Sequence, residues 1–205
     1  LRIIENLKTK PQVLINASAV GIYPTSTSAV YTEQSNEIAT DFLGKVVADW
    51  EHKANRATEL SVRVCLARLG VVLEKNAGAL PLIVLPYQLL VGGTIGSGEQ
   101  WVSWIHIDDV CGAIIHAIEN PELAGPINLT SPNAKRMKQF GKIVGRALNR
   151  PHWLPVPSFA LKLALGEKSQ LVLEGQYVEP EKLLQSGYQF KFTSLEDAII
   201  DLYND

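Results

Sequence analysis

The chain has 205 residues, of which 46% are hydrophobic and 20% charged, so it can bury a sizeable core in one domain or slightly more. Its formal net charge of -2 argues against a basic nucleic-acid surface. The longest apolar run, Leu80–Val91, contains two prolines and is too short to span a bilayer. Cys65 and Cys111 stand in apolar settings, which indicates free thiols in a reducing compartment, so we expect a cytoplasmic protein.

The first half of the chain reads as strand, helix, strand. After a weakly helical start, the apolar run Gln12–Ser18 predicts a buried strand, and a polar loop follows. Residues Ile38–Ala57 predict a helix, and Ser61–Arg68 predicts a second buried strand. The apolar stripe expected on that helix comprises Phe42, Val46, Trp50 and Ala54, with Leu43 and Val47 beside them. Two apolar strands joined by a helix of this length predict a parallel, right-handed crossover in a sheet covered on both faces.

The second half continues the alternation of helices and strands. A probable helix precedes the glycine-rich loop Gly92–Gly98, and an aromatic segment, Trp101–Ile107, follows it. Asp108 or Asp109 is expected to cap the next helix, whose apolar positions are Val110, Cys111, Ile114, Ile115 and Ile118. Further elements are predicted as a strand at Gly125–Thr130, a helix marked by Met137 to Ala147, a strand at Gly187–Phe192, and helices at 158–165, 168–175 and 194–203.

Several kinds of site are excluded by spacing. A dinucleotide cradle needs a strand before its glycines and a helix opening on the last one, whereas Gly92–Gly98 has a helix before it and a strand after it. We therefore interpret it as a structural loop near a ligand. The four histidines show no metal-ligand spacing, so no metal is expected, and no nucleophile-elbow serine motif is present.

Two polar residues stand where open α/β sheets bind ligands, at the carboxyl ends of strands and the starts of helices. His106 precedes a predicted helix and is either part of a site or a capping and packing histidine. Ser18 ends the first strand and is either a site residue or a hydroxyl that merely ends a strand.

Four short segments carry a resemblance to a known family: S-A-V-G-I-Y-P from Ser18, R-L-G-V-V-L from Arg68, W-I-H-I-D-D-V from Trp104 and P-I-N-L from Pro126. Together they resemble the extended short-chain dehydrogenase/reductases, the NAD-dependent epimerase/dehydratases. A closer likeness is to the branch called epimerase family proteins, in older usage putative cell-division inhibitors. That likeness rests on Phe42 with Trp50 and Glu51, the segment from Gly92 to Asp109, and the segment from Leu173 to Phe190.

The resemblance implies an α/β fold: part of a Rossmann-like, doubly wound parallel sheet with a small, mostly helical C-terminal region. Residues 1–150 would form the back half of an NAD(P)-binding domain, with a substrate-region insertion at about 74–100, and residues 151–205 the small C-terminal domain. In the family the glycine-rich cofactor loop comes at the start of the polypeptide and is not in this sequence. We therefore expect either a C-terminal part of a longer protein or the product of a gene without the cofactor half. In both cases the chain by itself should bind neither NAD nor NADP appreciably.

The resemblance also implies roles for individual residues. Ser18, Tyr23, Gly70 and Val72 would face the nicotinamide cofactor. Residues facing substrate would be Arg68, Gln100, Trp104 and His106. His106 and Ser18 are the candidate catalytic residues, because the Tyr-x-x-x-Lys pair of the superfamily is absent: the matching slots hold Asp41 and Lys45, or Leu43 and Val47.

These implications predict an NAD(P)-binding, epimerase/dehydratase-like oxidoreductase that acts on an unknown small molecule. The alternative is a non-catalytic nucleotide-sensing or partner-binding protein on the same fold, which the missing tyrosine favours. An ordinary sugar-nucleotide epimerase is the weaker third interpretation, since its chemistry needs that tyrosine. We expect no nucleic-acid or membrane partner. Self-association is possible through the apolar edge of the strand Gln12–Ser18.

Overall fold

The structure is a computed structural model that describes residues 2–156, 158, 166 and 173–203. In chain order, the helices and strands are α1 (Arg2–Asn6), β1 (Val13–Ala19), β2 (Val30–Tyr31), α2 (Phe42–Asn55), β3 (Arg63–Leu69), β4 (Val71–Leu73), α3 (Leu80–Gln88), β5 (Trp101–Val102), β6 (Trp104–His106), α4 (Ile107–Glu119), β7 (Gly125–Leu129), β8 (Lys135–Arg136), α5 (Met137–Ala147), β9 (Tyr177–Val178), α6 (Glu181–Gln185) and α7 (Leu195–Tyr203). No helix in the described ranges is long and apolar enough to cross a membrane.

A three-stranded parallel sheet in the order β1-β3-β7 organises the molecule. The predicted strands of the first half and the strand at Gly125 form this sheet, so the expected α/β architecture with parallel strands is confirmed. Three two-stranded pairings surround it: β4 with β6 and β2 with β9, both parallel, and β5 with β8, antiparallel.

The sheet is covered on both faces, as its apolar strands predict. On one face, Leu14, Val64 and Leu66 pack with Ala54 of α2 and with Ala57 beyond it. The opposite face, which includes Cys65, Ala67, Ile127 and Leu129, packs against Val110, Ala113 and Ala117 of α4. A separate core joins α3, α5 and α7 around Trp104 and Phe140.

The face of α2 that turns inward agrees with the predicted one only at Val47 and Ala54. Phe42 and Trp50 are 78% and 50% exposed, whereas Gly44, Val47, Glu51 and Ala54 are buried. The side chain of Asp41 caps the helix by accepting the Gly44 amide N–H at 2.8 Å.

The predicted N-terminus of α4 also needs correction. His106 is the N-cap, and its side chain accepts the amide N–H of Asp108, so neither aspartate caps the helix. Asp109 faces inward instead, and Cys111, Ile115 and Ile118 are exposed.

The predicted strand Gly187–Phe192 is wrong, because the backbone of this segment bonds to the buried carboxylate of Asp109. The carboxylate of Asp109 accepts the backbone N–H groups of Lys191 and Phe192 at 2.7 and 2.9 Å, and the Tyr188 hydroxyl at 3.1 Å. The segment therefore bonds to one side chain rather than to a neighbouring strand. The predicted helices at 158–165 and 168–175 lie almost entirely outside the described residues, while the last predicted helix is confirmed as α7.

Candidate functional site

Three polar residues form a row across the parallel sheet. Ser18 pairs in register with Arg68, and Arg68 pairs in register with Asn128. Each occupies the next-to-last position of its strand, at the carboxyl end, where open α/β sheets bind their ligands. All three are buried. We call them the strand-end row.

Glu51 of α2 joins two members of the strand-end row. Its carboxylate accepts the Ser18 hydroxyl at 2.6 Å and two guanidinium N–H groups of Arg68, from Nε and Nη2, at 2.8 Å each. Both partners of the ion pair are more than 90% buried. The bidentate pairing fixes the plane of the guanidinium group. Glu51 also accepts the hydrogen bond from the Ser18 hydroxyl, which fixes the direction of that hydroxyl.

Tyr23 links the remaining members of the row. Its hydroxyl accepts from Arg68 Nη1 at 2.7 Å and lies 2.9 Å from the Asn128 side-chain oxygen, to which it donates. Burial raises the pKa of Tyr23, and the neighbouring Arg68 only partly offsets that effect. Tyr23 is therefore a neutral phenol at physiological pH and not a replacement for the acidified tyrosine of a Tyr-x-x-x-Lys pair.

A small polar pocket opens beside the network. Its volume of about 200 Å³ is below the range of about 300–1,000 Å³ typical of sites that enclose a whole small molecule, so it fits only part of a ligand. Arg68 and Glu33 lie in its wall, together with Ile22, Tyr23, Ser35, Asn36, Glu37, Ile38 and Pro126.

Glu33 is the second buried carboxylate at this pocket. It accepts the backbone N–H of Asn128 at 2.9 Å, which ties the loop before α2 to strand β7. Burial raises the pKa of Glu33, and hydrogen bonds from the backbone of Asn128 and Lys182 oppose the rise. The pocket wall thus combines a fixed cation with a carboxylate able to take up a proton more readily than an exposed one.

Of the predicted site residues, the structure brings together Ser18, Tyr23 and Arg68. Trp104 is fully buried in the core around Phe140, and its indole N–H donates to the Asn133 carbonyl at 3.0 Å. Gln100 is buried and donates to the Ile95 carbonyl at 3.1 Å. These two side chains hold loops in place, and neither lines the described pocket.

The two remaining predicted cofactor residues, Gly70 and Val72, have packing roles in the structure. A side chain at Gly70 would collide with the Ser103 carbonyl, so close approach of backbone explains this glycine without a ligand. Val72 pairs with Ile105 between β4 and β6 and packs on the α4 side of the core. Their cofactor contacts remain predictions.

His106 lies apart from the strand-end row and is 1% exposed. Its Nδ1 accepts the Asp108 amide N–H at 3.1 Å, and its ring lies 4.0 Å from that of Phe192 between centroids. Burial lowers the pKa of His106, against the opposing effects of Asp108 and Asp201. The capping role that the sequence left open is therefore observed, and its catalytic role remains a prediction.

The side chains of His106, Asp108 and Asp201 approach one another within 4.8 Å, close enough to share a metal ion. The hydrogen bond by which His106 caps α4 argues against a metal ion at this position. Because Nδ1 accepts a hydrogen bond, the proton of the neutral imidazole ring is on Nε2. This nitrogen lies 3.4 Å from the Asp201 carboxylate. A metal on Nε2 would move that proton to Nδ1, where it would face the Asp108 N–H.

Sequence reasoning missed Glu51, Glu33 and Asn128 as site residues. Glu51 gave a signal, since it stands between apolar positions of α2 at the spacing of an inward-facing residue. A buried arginine predicted on a strand also requires a carboxylate partner. Glu33 lay in a stretch read as plain loop, so no pattern distinguished it.

Comparison with known proteins agrees with this geometry. The profile of the NAD dependent epimerase/dehydratase family matches residues 1–129, more than half of the chain. The chain belongs to this family. A second profile, a domain of unknown function designated DUF1731, matches residues 156–202.

Two curated relatives share the epimerase family description. Epimerase family protein YfhF of Bacillus subtilis (strain 168) is 48% identical over 204 residues, which cover all of this chain and 67% of YfhF. Epimerase family protein SSP1921 of Staphylococcus saprophyticus is 44% identical over 200 residues, covering 98% of this chain and 67% of the relative. The chain thus spans about two thirds of the length of these epimerase family proteins.

Solved structures extend the likeness to the fold. The crystal structure of human epimerase family protein SDR39U1 (isoform 2) with NADPH superposes with a TM-score of 0.92 at 33% identity, covering 100% of this chain and 69% of that one. UDP-glucuronic acid 4-epimerase from Bacillus cereus in complex with NAD gives a TM-score of 0.75 at 14% identity, covering 96% and 62%, and shows the fold alone.

Proposed function

We propose that this chain supplies the strand-end part of the active site of an NAD(P)-dependent, epimerase-like oxidoreductase acting on a small molecule. The observation that carries the proposal is the strand-end row: Ser18, Arg68 and Asn128 in register at the carboxyl ends of three parallel strands, beside an open polar pocket. The human relative solved with NADPH supports a dinucleotide as cofactor.

The end of β1 is the part of the described chain that fits the nicotinamide end of such a cofactor. Gly21, just beyond Ser18, faces open space in which an added side chain would meet nothing, so a ligand can approach the strand end. Ser18 and the backbone that follows it would hold the cofactor there. When bound, the nicotinamide supplies hydride transfer to or from a substrate carbon.

The protein's own contribution at this point is to orient groups and hold a proton. Arg68 keeps Glu51 in place, and Glu51 directs the Ser18 hydroxyl. In the pocket, the guanidinium of Arg68 and the carboxylate of Glu33 would bind polar groups of the substrate. Because the pocket holds only part of a ligand, the substrate we expect is small and polar, or has a polar end.

The test is dinucleotide binding by this chain joined to the third of YfhF that it does not match. Titration calorimetry with NADPH and with NADH should show binding of at least one of them. Ser18→Ala removes a single hydroxyl and should weaken that binding or abolish hydride transfer, while Lys53→Gln, on the exposed side of α2, should change neither. The absence of binding to both dinucleotides at millimolar concentration would refute the proposal.

A further inference from the structure

One exposed surface lies outside everything described so far. From Asn76 to Gly98 the sequence contains no charged residue, yet much of this stretch is on the outside of the molecule. Leu82, Leu85 and Leu89 follow one face of α3 at helical spacing and are 72%, 49% and 63% exposed. Solvent-exposed leucines in such a row are uncommon on a soluble surface and mark interaction sites.

The exposed face of α3 continues into the segment after α5. Trp153 is 66% exposed, and its indole N–H donates to the Leu90 carbonyl at 2.9 Å, which places it directly at the end of α3. Leu154 beside it is 42% exposed. We call this surface the apolar patch; it comprises Leu82, Leu85, Leu89, Leu90, Trp153 and Leu154.

Positive charge borders the apolar patch. Between Glu122 and Glu167 the sequence contains seven lysines and arginines and no acidic residue, although the whole chain is net negative. Lys142 and Arg150 are exposed members of this set. Burial lowers the pKa of His152, the neighbour of Trp153, and the nearby charge of Lys142 lowers it further. His152 hydrogen-bonds to Tyr87 of α3 at 2.9 Å. Lys142 of α5 therefore stands near the Trp153 end of the patch, and Arg150 precedes Trp153 by three residues in the chain.

We propose that the apolar patch docks on the surface of an anionic lipid bilayer, with its leucines and Trp153 at the level of the headgroups and Lys142 and Arg150 against lipid phosphates. A large apolar face with a tryptophan and a basic border is the composition of interfacial attachment sites. A second copy of the chain fits less well, because symmetric pairing of the patch would set its positive borders against each other.

This inference revises the expectation of no membrane partner, which rested on the length of the longest apolar run. The length of an apolar run decides whether a helix can cross a bilayer. Attachment to the bilayer surface requires only an exposed apolar face. The inference does not depend on the proposed oxidoreductase function, since none of its residues belongs to the strand-end row or the pocket.

The experiment is co-sedimentation of the chain with vesicles of phosphatidylcholine alone and of phosphatidylcholine containing phosphatidylglycerol. We expect partitioning onto the anionic vesicles only, weakened by high salt. The double variants Leu82→Gln/Leu89→Gln and Lys142→Glu/Arg150→Glu should each lower the partition coefficient by roughly tenfold or more. Ile115→Gln, which changes a 54% exposed isoleucine on α4, is the matched control and should bind as the parent does.

Two results would overturn the inference. The first is equal binding by the leucine variant and the parent, or no binding by the parent. The second is a parent dimer that Leu82→Gln/Leu89→Gln converts to monomer in analytical ultracentrifugation, without vesicle binding; a second copy would then be the occupant. Circular dichroism melting of each variant confirms that these exposed substitutions leave the fold intact.

Discussion

The Glu51–Arg68 ion pair gives the sharpest prediction for the stability of this chain. Glu51→Gln keeps the shape of the side chain but leaves the guanidinium of Arg68 buried without a counter-charge. The carboxylate accepts three hydrogen bonds, and both side chains are 10% exposed or less. Breaking a buried pair from one side costs about 3–5 kcal/mol, so we expect a loss of that size in the free energy of unfolding.

Urea denaturation followed by circular dichroism measures this loss. With a slope of about 1–3 kcal/mol per M urea, the midpoint should fall by about 1 M or more. Asp49→Asn is the matched control, because it breaks an ion pair with Lys53 on the same helix whose side chains are 54% and 67% exposed. Such exposed pairs contribute about 0–1 kcal/mol, so the midpoint should hardly move.

The double variant Glu51→Met/Arg68→Met separates charge from packing. With both charges removed no ion stays buried alone, so the double variant should be more stable than Glu51→Gln despite its two changes. A loss below about 1 kcal/mol for Glu51→Gln, or a double variant less stable than the single one, would contradict the reasoning.

Three further predictions concern other parts of the fold. Burial lowers the pKa of His106 below its unfolded value of about 6.5, so the unfolded chain binds more protons as the pH falls through that value and stability decreases towards acid. His106→Asn keeps an acceptor for the Asp108 amide and should flatten the dependence of the urea midpoint on pH below about 6.5. Gly70→Ala should destabilise the chain by about 1–3 kcal/mol even without a cofactor, because the added methyl group collides with the Ser103 carbonyl. Gly21→Ala, whose methyl group would contact nothing, should leave the stability unchanged. Equal melting temperatures for the two variants would show that Gly70 is not a packing glycine. Asp109→Ala leaves the backbone N–H groups of Lys191 and Phe192 without their acceptor, which should lower the free energy of unfolding by about 1–3 kcal/mol for each buried donor. The segment before α7 should then exchange its amide hydrogens faster. Exchange of the Lys191 and Phe192 amides at the parent's rate would refute this.

The strands of the central sheet were predictable because each is a short run that is apolar throughout. Their order and in-register pairing bring Ser18 and Arg68 together. The positions of Trp104 and Gln100 were not predictable from pattern, because an aromatic or amide side chain near a glycine loop reads the same whether it lines a site or packs beneath it.

The inward faces of α2 and α4 could be predicted only in part, because apolar periodicity assumes that carboxylates face water. On α2 that assumption placed Phe42 and Trp50 inside and left Glu51 outside, whereas a buried arginine on the adjacent strand draws the carboxylate inward. On α4 the same assumption hid Asp109, whose partners lie some 80 residues later in the chain. The pairing of Asp109 therefore leaves no local signal, whereas Glu51 was indicated by its spacing among the apolar positions of α2.

The strand-end row also bears on how the sheet assembles. In a parallel sheet, sliding one strand by a single residue turns every side chain to the opposite face. A slip of β3 would turn the guanidinium of Arg68 towards Ile127, Leu129 and the apolar residues of α4, and would leave Glu51 without its partner. A misaligned pairing would thus leave the charges of Arg68 and Glu51 unpaired in an apolar interior. The same contacts that join the carboxyl ends of the strands therefore discriminate between correctly and incorrectly aligned strands while the chain folds.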